Sequence, residues 1–246
     1  MFFCYHSKKE KIVQKHYVIG DVHAEYKTLL ALVAKLPKDA RLIFVGDLIS
    51  RGSDGRRVIH FVKENAFYCI KGNHEEYFLK FGSLFFDAMN KRVEGSSLVW
   101  AYTHLSSTLR SYGLLRDNST EVILNQKGIE EMKRDMEWIA KRPVYFEMGH
   151  VKGYTLPVVV THSPVDKYWF FKDTHPEYFE FYAMNNRYIP TASSPIFNIY
   201  GHVPRKEVLI GSNFVSLDTG CGRGEDKRLS AYCIETREVI WVKSVG

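Results

Sequence analysis

Five short segments of this 246-residue chain end an apolar, strand-like run in residues able to bind a metal or a phosphate. They are Gly20-Asp21-Val22-His23, Gly46-Asp47-Leu48-Ile49-Ser50-Arg51-Gly52, Gly72-Asn73-His74-Glu75, Thr161-His162 and Gly201-His202. In the first third such runs alternate with helical stretches. Strands are expected from His16 to Ile19, Leu42 to Val45 and Phe67 to Ile70, with helices from Ala24 and across Arg56 to Lys63. Tyr26, Leu29, Leu30 and Val33 recur at helical spacing, giving the first helix one apolar face that Pro37 closes. Repeated β-α-β order argues for an α/β fold of neighbouring strands with covering helices, and sites in such sheets form in loops at the strands' carboxyl ends. Asp21, Asp47 and Asn73 all fall in such loops.

From about residue 77 to 142 the pattern changes to a helical insertion, with Phe78, Phe81, Phe85, Trp100, Leu109, Met132, Met136 and Ile139 at helical spacing. A stripe of this kind reads as core rather than as a substrate cleft. Beyond it the chain returns to strands: Val144 to Glu147, Val158 to Thr161, Phe197 to Tyr200, Glu207 to Ile210, Phe214 to Leu217, Leu229 to Ile234 and Glu238 to Val242. No repeat or linker separates the halves, so one domain spanning residues 1–246 is expected.

Composition excludes several classes. With 45% hydrophobic and 25% charged residues the chain is an ordinary globular protein. A net charge of +6 suits phosphate-bearing partners, but Lys8-Lys9-Glu10-Lys11 and Arg56-Arg57 read as solvated surface and no basic stripe with interleaved aromatics supports nucleic-acid binding. The cysteines at 4, 69, 221 and 233 lack zinc spacing, and Cys69 and Cys233 sit in strand-like runs as small hydrophobes. With no long apolar stretch and no signal-like start, a cytoplasmic protein without membrane contact is expected.

The donor set points to chemistry. Asp21 and His23 are two apart and point to the same side of an extended chain, so they can share one ion. Asp47 has two carboxylate oxygens and can bridge a pair of ions, while Asn73 adds a neutral oxygen and His162 and His202 complete the second. Paired divalent ions about 3.5–4 Å apart grip both oxygens of an in-line phosphoryl displacement.

These residues resemble the phosphoprotein-phosphatase branch of the calcineurin-like metallophosphoesterases, which includes bacterial and phage serine/threonine phosphatases and symmetric diadenosine tetraphosphatases. The pattern GDxHG, GDxVDRG, GNHE and two later histidines is met from Gly20 to His202. The resemblance implies a four-layer αββα sandwich of two packed sheets flanked by helices. It also implies two divalent ions, manganese first and iron or zinc as alternatives. Asp21, His23 and Asp47 would hold one; Asp47, Asn73, His162 and His202 would hold the other. Arg51 resembles the phosphate-binding arginine, Arg187 of Asn186-Arg187 resembles a second one, and His74 the general acid. A hydroxide between the ions would then attack phosphorus directly, without a covalent phosphoenzyme.

One departure bears on the substrate. Ser50 stands where the family's protein phosphatases carry an Asp that orients the imidazole equivalent to His74. Without it His74 suits a good leaving group such as a nucleotide phosphate. Ser50 and the segment Leu217-Asp218-Thr219-Gly220-Cys221 favour a dinucleoside polyphosphate. Chain length and the 40-residue interval between His162 and His202 favour a phosphoprotein or small phosphomonoester, which is the leading expectation. An inactive module that only binds phosphorylated partners is the least favoured. Ala24 replaces a family glycine; Asp218 reads as a turn residue; Glu75 and Glu76 read as a helix N-terminus.

Overall fold

An apolar run without polar alternation belongs to a strand covered on both faces. The computed structural model describes residues 14–90, 96–224 and 226–245. Cys4, the Lys8-Lys9-Glu10-Lys11 cluster and the side chain of Trp100 lie outside the described residues. The first half runs β1 (His16–Ile19), α1 (Tyr26–Val33), β2 (Arg41–Phe44), α2 (Gly55–Asn65), β3 (Ala66–Cys69), α3 (Asn73–Met89), α4 (Ser96–Ser111) and α5 (Gln126–Ala140). The second runs β4 (Tyr145–Gly149), β5 (Val158–Thr161), α6 (Pro176–Asn185), β6 (Phe197–Tyr200), β7 (Leu209–Ile210), β8 (Phe214–Ser216), β9 (Arg228–Cys233) and β10 (Val239–Lys243).

Two mixed sheets result, ordered β10-β9-β1-β2-β3 and β4-β5-β6-β8-β7. β1, β2 and β3 are parallel, as the β-α-β reading requires, and the antiparallel β9-β10 pair returns to the first sheet beside β1. β5, β6 and β8 form the parallel centre of the second. Side chains alternate between layers with period two. Tyr17, Ile19, Leu42 and Phe44 face the covering helices, while Val18, Ile43 and Val45 meet Val158, Val160 and Ile199 between the sheets. Val159 points the other way, onto Phe179, Ala183 and Met184 of α6. The order is therefore helices, sheet, sheet, helix, as the resemblance implies.

The insertion forms α3, α4 and α5, and its stripe is core: Phe78, Phe85, Leu109, Met132 and Ile139 are fully buried, Phe81 is 8% exposed, and Met136 packs against them. The strand register is within a residue or two of expectation, β7 being shorter. α1 starts at Tyr26 rather than Ala24 because His23 (φ 48°) and Ala24 (φ 61°) are left-handed, a conformation that no α-helix admits. No helix among the described residues is long and apolar enough to cross a membrane.

Candidate metal and phosphate site

The loops after β1, β2, β3, β5 and β6 meet at one end of the two sheets, and they cross so closely that glycine is needed before the ligand-type residues. A Cβ on Gly46 would strike the Gly72 backbone, and one on Gly201 would strike the Asp21 carboxylate. The Gly-Asp, Gly-Asn and Gly-His pairs thus record packing of one loop on the next. Non-glycine residues there are also left-handed: His23, Ala24, Asp47, Ser50, Arg51 and His202, with φ of 48–71°. Each costs roughly 1–3 kcal/mol and persists because the surrounding structure over-determines it.

Asp47 lies at the centre. Its Oδ2 is 3.6 Å from His23 Nε2, and its Oδ1 is 3.3 Å from His162 Nε2, so its two oxygens face two separate groups. On the first side Asp21 Oδ2 is 3.9 Å from His23 Nε2. On the second, His162 Nε2 lies 3.1 Å from both Asn73 Oδ1 and His202 Nδ1. All six expected ligands are brought together and all are buried.

Imidazole tautomers are set from behind. His23 Nδ1 and His162 Nδ1 face the carbonyls of Ile49 (3.1 Å) and Val45 (2.8 Å). A hydrogen donated there leaves each Nε2 directed at the carboxylates, the usual arrangement around a metal-binding histidine. His23 Nε2 is buried with no hydrogen-bond partner among the described residues. Burial pushes the His23 imidazole down to about 3, so this nitrogen is a neutral lone-pair donor. Burial lowers His202 likewise, also to about 3.

The carboxylates carry the complementary signature. Burial, then the charges of Asp218 and Asp47, hold Asp21 well above the usual carboxylate range. Burial would also raise Asp47, but His162, His74 and His23 outweigh it and hold Asp47 well below that range. For His162 burial is likewise outweighed, by Asp47 above all, and its imidazole rises to about 10. Clustered buried acids and imidazole nitrogens converging on common points fit divalent cations bound by oxygen and nitrogen.

The arginines and His74 rim this cluster. His74 Nε2 is 3.8 Å from Asp47 Oδ2 and 3.5 Å from an Arg51 guanidinium nitrogen, and the His74 backbone N–H donates to Asp47 Oδ1 (3.0 Å). The Ser50 hydroxyl is buried and has no hydrogen-bond partner among the described residues. Burial lowers His74, aided by the Arg51 charge and opposed by Asp47. Arg187 is exposed on the loop after α6, and its charge acts on His202.

Two residues contribute more than their sequence context suggests. Glu75 caps α3 through the Gly72 N–H (2.8 Å), as expected of its position, but it also accepts from the backbone of Asp47 (2.7 Å) and Leu48 (2.8 Å). It thereby locks the Asp47 loop to the Asn73 loop. Asp218 forms its turn with the Gly220 N–H (2.8 Å), yet its Oδ2 is buried without a hydrogen-bond partner among the described residues and its charge acts on Asp21. The signal for Asp218 was its place directly after a strand run, as for Asp21 and Asp47. A cavity of about 650 Å³ lies apart from these residues among Arg205, Lys206, Lys227 and Arg228.

Residues 15–206 match the calcineurin-like phosphoesterase family. The chain is 24% identical to a bis(5'-nucleosyl)-tetraphosphatase PrpE [asymmetrical] from Oceanobacillus iheyensis, across 92% of this chain and 91% of that one. It is 38% identical to serine/threonine-protein phosphatase 2 of Escherichia coli over 28% of this chain and 35% of that one. The fold superposes, at a TM-score of 0.59 and 17% identity, on a crystal structure provisionally described as a diadenosine tetraphosphatase, covering 95% of each chain. With the match spanning most of its length, the chain belongs to the calcineurin-like phosphoesterases and is a hydrolase of phosphoester bonds.

Proposed function

We propose that this enzyme cleaves a phosphoanhydride of a dinucleoside polyphosphate, with bis(5'-nucleosyl) tetraphosphate as the substrate class, acting as one catalytic domain built from both sheets. Asp21, His23 and Asp47 would hold one divalent cation and Asp47, Asn73, His162 and His202 the other; manganese is the ion we propose, and mixed imidazole and oxygen ligands admit iron and zinc as well. Bound there, the ions neutralise phosphoryl charge and lower the pKa of coordinated water toward neutrality. Asp47 fixes the spacing between the two groups of ligands. Arg51 offers a planar fork to two phosphate oxygens, and Arg187 approaches from the His202 side. His74 hydrogen-bonds the departing oxygen.

The observation that carries the substrate is the surrounding of His74. Its Nε2 faces Arg51 (3.5 Å) and Asp47 (3.8 Å), and the residue at position 50 is a hydroxyl without a hydrogen-bond partner among the described residues rather than a carboxylate that would orient and charge the ring. Expelling a serine alkoxide needs a strong acid at that point. Expelling a nucleotide phosphate, whose last pKa is about 6, does not. Similarity along nearly the whole chain to a bis(5'-nucleosyl)-tetraphosphatase supports the same reading. The buried free thiols of Cys69, Cys221 and Cys233 suit a reducing, cytoplasmic setting.

A phosphoprotein substrate is the second reading, favoured by the local 38% identity to a serine/threonine phosphatase. Purified enzyme with manganese should cleave diadenosine tetraphosphate with a kcat/KM on the order of a hundredfold above that for a phosphoserine peptide, a difference of roughly 2.7 kcal/mol in barrier. ATP plus AMP as products identifies asymmetrical cleavage; two ADP identifies symmetrical. A preference for the peptide overturns the proposal.

A further inference from the structure

The segment 218–224 between β8 and β9 folds directly onto the candidate metal loops. A Cβ on Gly222 (φ 71°) would lie 2.7 Å from His23 Cβ and 3.4 Å from Arg51 Cβ, so this position is held to glycine by contact and by conformation. A tight turn then fixes the next residue, with the Arg223 N–H donating to the Gly220 carbonyl (3.0 Å). Arg223 is exposed, and among the described residues its guanidinium has no hydrogen bond or ion pair. Its charge acts on Arg51, His74 and Asp218.

Two guanidinium groups held on one flank repel each other, a cost that a bound polyanion reverses. A phosphomonoester can be gripped by Arg51 alone. A tetraphosphate chain extends beyond the phosphorus under attack and carries further negative charge that Arg51 and Arg187 leave uncompensated. We propose that Arg223 is a specificity-determining residue that binds the phosphates next to the one being attacked, so that Arg51 and Arg223 together clamp a polyphosphate chain. This rests on the polyphosphate reading of the preceding section.

The test compares wild type with Arg223→Ala and Arg223→Lys, manganese-loaded, on diadenosine tetraphosphate and p-nitrophenyl phosphate. The alanine variant should lower the ratio of kcat/KM values, tetraphosphate over aryl ester, by about tenfold, mainly through KM, as expected for loss of a charge-assisted hydrogen bond. Lysine should restore part of it, since it returns the charge without the fork. In parallel, inorganic tripolyphosphate and orthophosphate are titrated as inhibitors of aryl phosphate hydrolysis. The Ki of tripolyphosphate relative to orthophosphate should rise about tenfold in Arg223→Ala. Unchanged ratios in both assays, or an equal loss on every phosphate species, overturn the assignment. If wild type hydrolyses the aryl ester but not the tetraphosphate, the substrate reading fails, and the inhibition ratio still decides the role of Arg223.

Discussion

The two groups of candidate ligands share Asp47 and differ in how closely their atoms approach. On the His162 side three atoms already close on one nitrogen: Asn73 Oδ1 and His202 Nδ1 at 3.1 Å and Asp47 Oδ1 at 3.3 Å. On the His23 side the distances are longer, 3.6 Å to Asp47 and 3.9 Å to Asp21, and His23 Nε2 has no hydrogen bond among the described residues. A proton on His162 satisfies the first group electrostatically. The second is held open by backbone, with the His202 N–H on the Asp21 carboxylate (3.1 Å) and Ile49 behind His23 (3.1 Å). One group is therefore drawn tightly together and the other is more widely spaced, and both present atoms able to bind a cation.

Asp47→Asn attacks what the groups share, and the largest effect is expected from it. Turnover should fall on the order of a thousandfold, about 4 kcal/mol of barrier, with manganese occupancy reduced on both sides and circular dichroism unchanged. His23→Ala should cost only one equivalent of metal. If Asp47→Asn also costs only one, Asp47 does not bridge.

Glu75→Gln tests the lock rather than the ligands. One acceptor becomes a donor facing backbone N–H groups of Asp47, Leu48 and Gly72. Loss of such outer support typically costs about 10–100-fold in metal affinity or activity. Both sides should weaken together, because the Asp47 and Asn73 loops are tied through this one side chain. Normal affinity on the His162 side would show that its own contacts suffice.

The electrostatic contrast has a pH signature. The His162 pKa is raised to about 10, so at neutral pH this ring keeps a proton that a cation must expel. On the other side burial and the neighbouring acids raise the Asp21 carboxyl, so a cation there also favours its ionised form. Metal affinity should accordingly weaken as pH falls, by up to about tenfold per unit for each proton displaced between pH 8 and 6. Calorimetry with manganese in buffers of different ionisation enthalpy measures the release. The His162→Asn variant should release fewer protons than wild type; equal release would remove His162 from the account.

The same contrast marks what could be read from the chain. Asp21, Asp47 and Asn73 are legible because each ends a β-α step, where the sheet's own geometry forces a site. The apolar runs of β1, β2 and β5 are legible because both faces are buried. α6 was not anticipated: Phe179, Ala183 and Met184 face the core while Tyr178 and Phe181 stay exposed, so its apolar residues ring the helix and blur the period. The wider grip of Glu75 and the closeness of Asp218 to Asp21 depend on contacts between distant loops, which no local pattern encodes. The left-handed Ala24 is of the same kind, tolerated because the Asp54 N–H donates to its carbonyl (3.1 Å) and its own N–H to Leu48 (2.8 Å).

Ser50→Asp is the finest probe, since it alters neither ligand group but the ring at their rim. Ser50 is left-handed (φ 69°), a conformation that aspartate tolerates better than most residues, and its hydroxyl is buried without a hydrogen-bond partner among the described residues. A carboxylate there would favour the charged form of His74, opposing the burial that now lowers it. Hydrolysis of an alkyl phosphomonoester, which needs a proton on its leaving oxygen, should accelerate by several-fold and up to about tenfold. Cleavage of the tetraphosphate should change by much less, because its leaving phosphate is already a weak base. Equal gains on both substrates would mean that the carboxylate acts on the metals rather than on His74. No gain on either would mean that Arg51 and Asp47 already fix the ring, and that leaving-group protonation does not limit this enzyme.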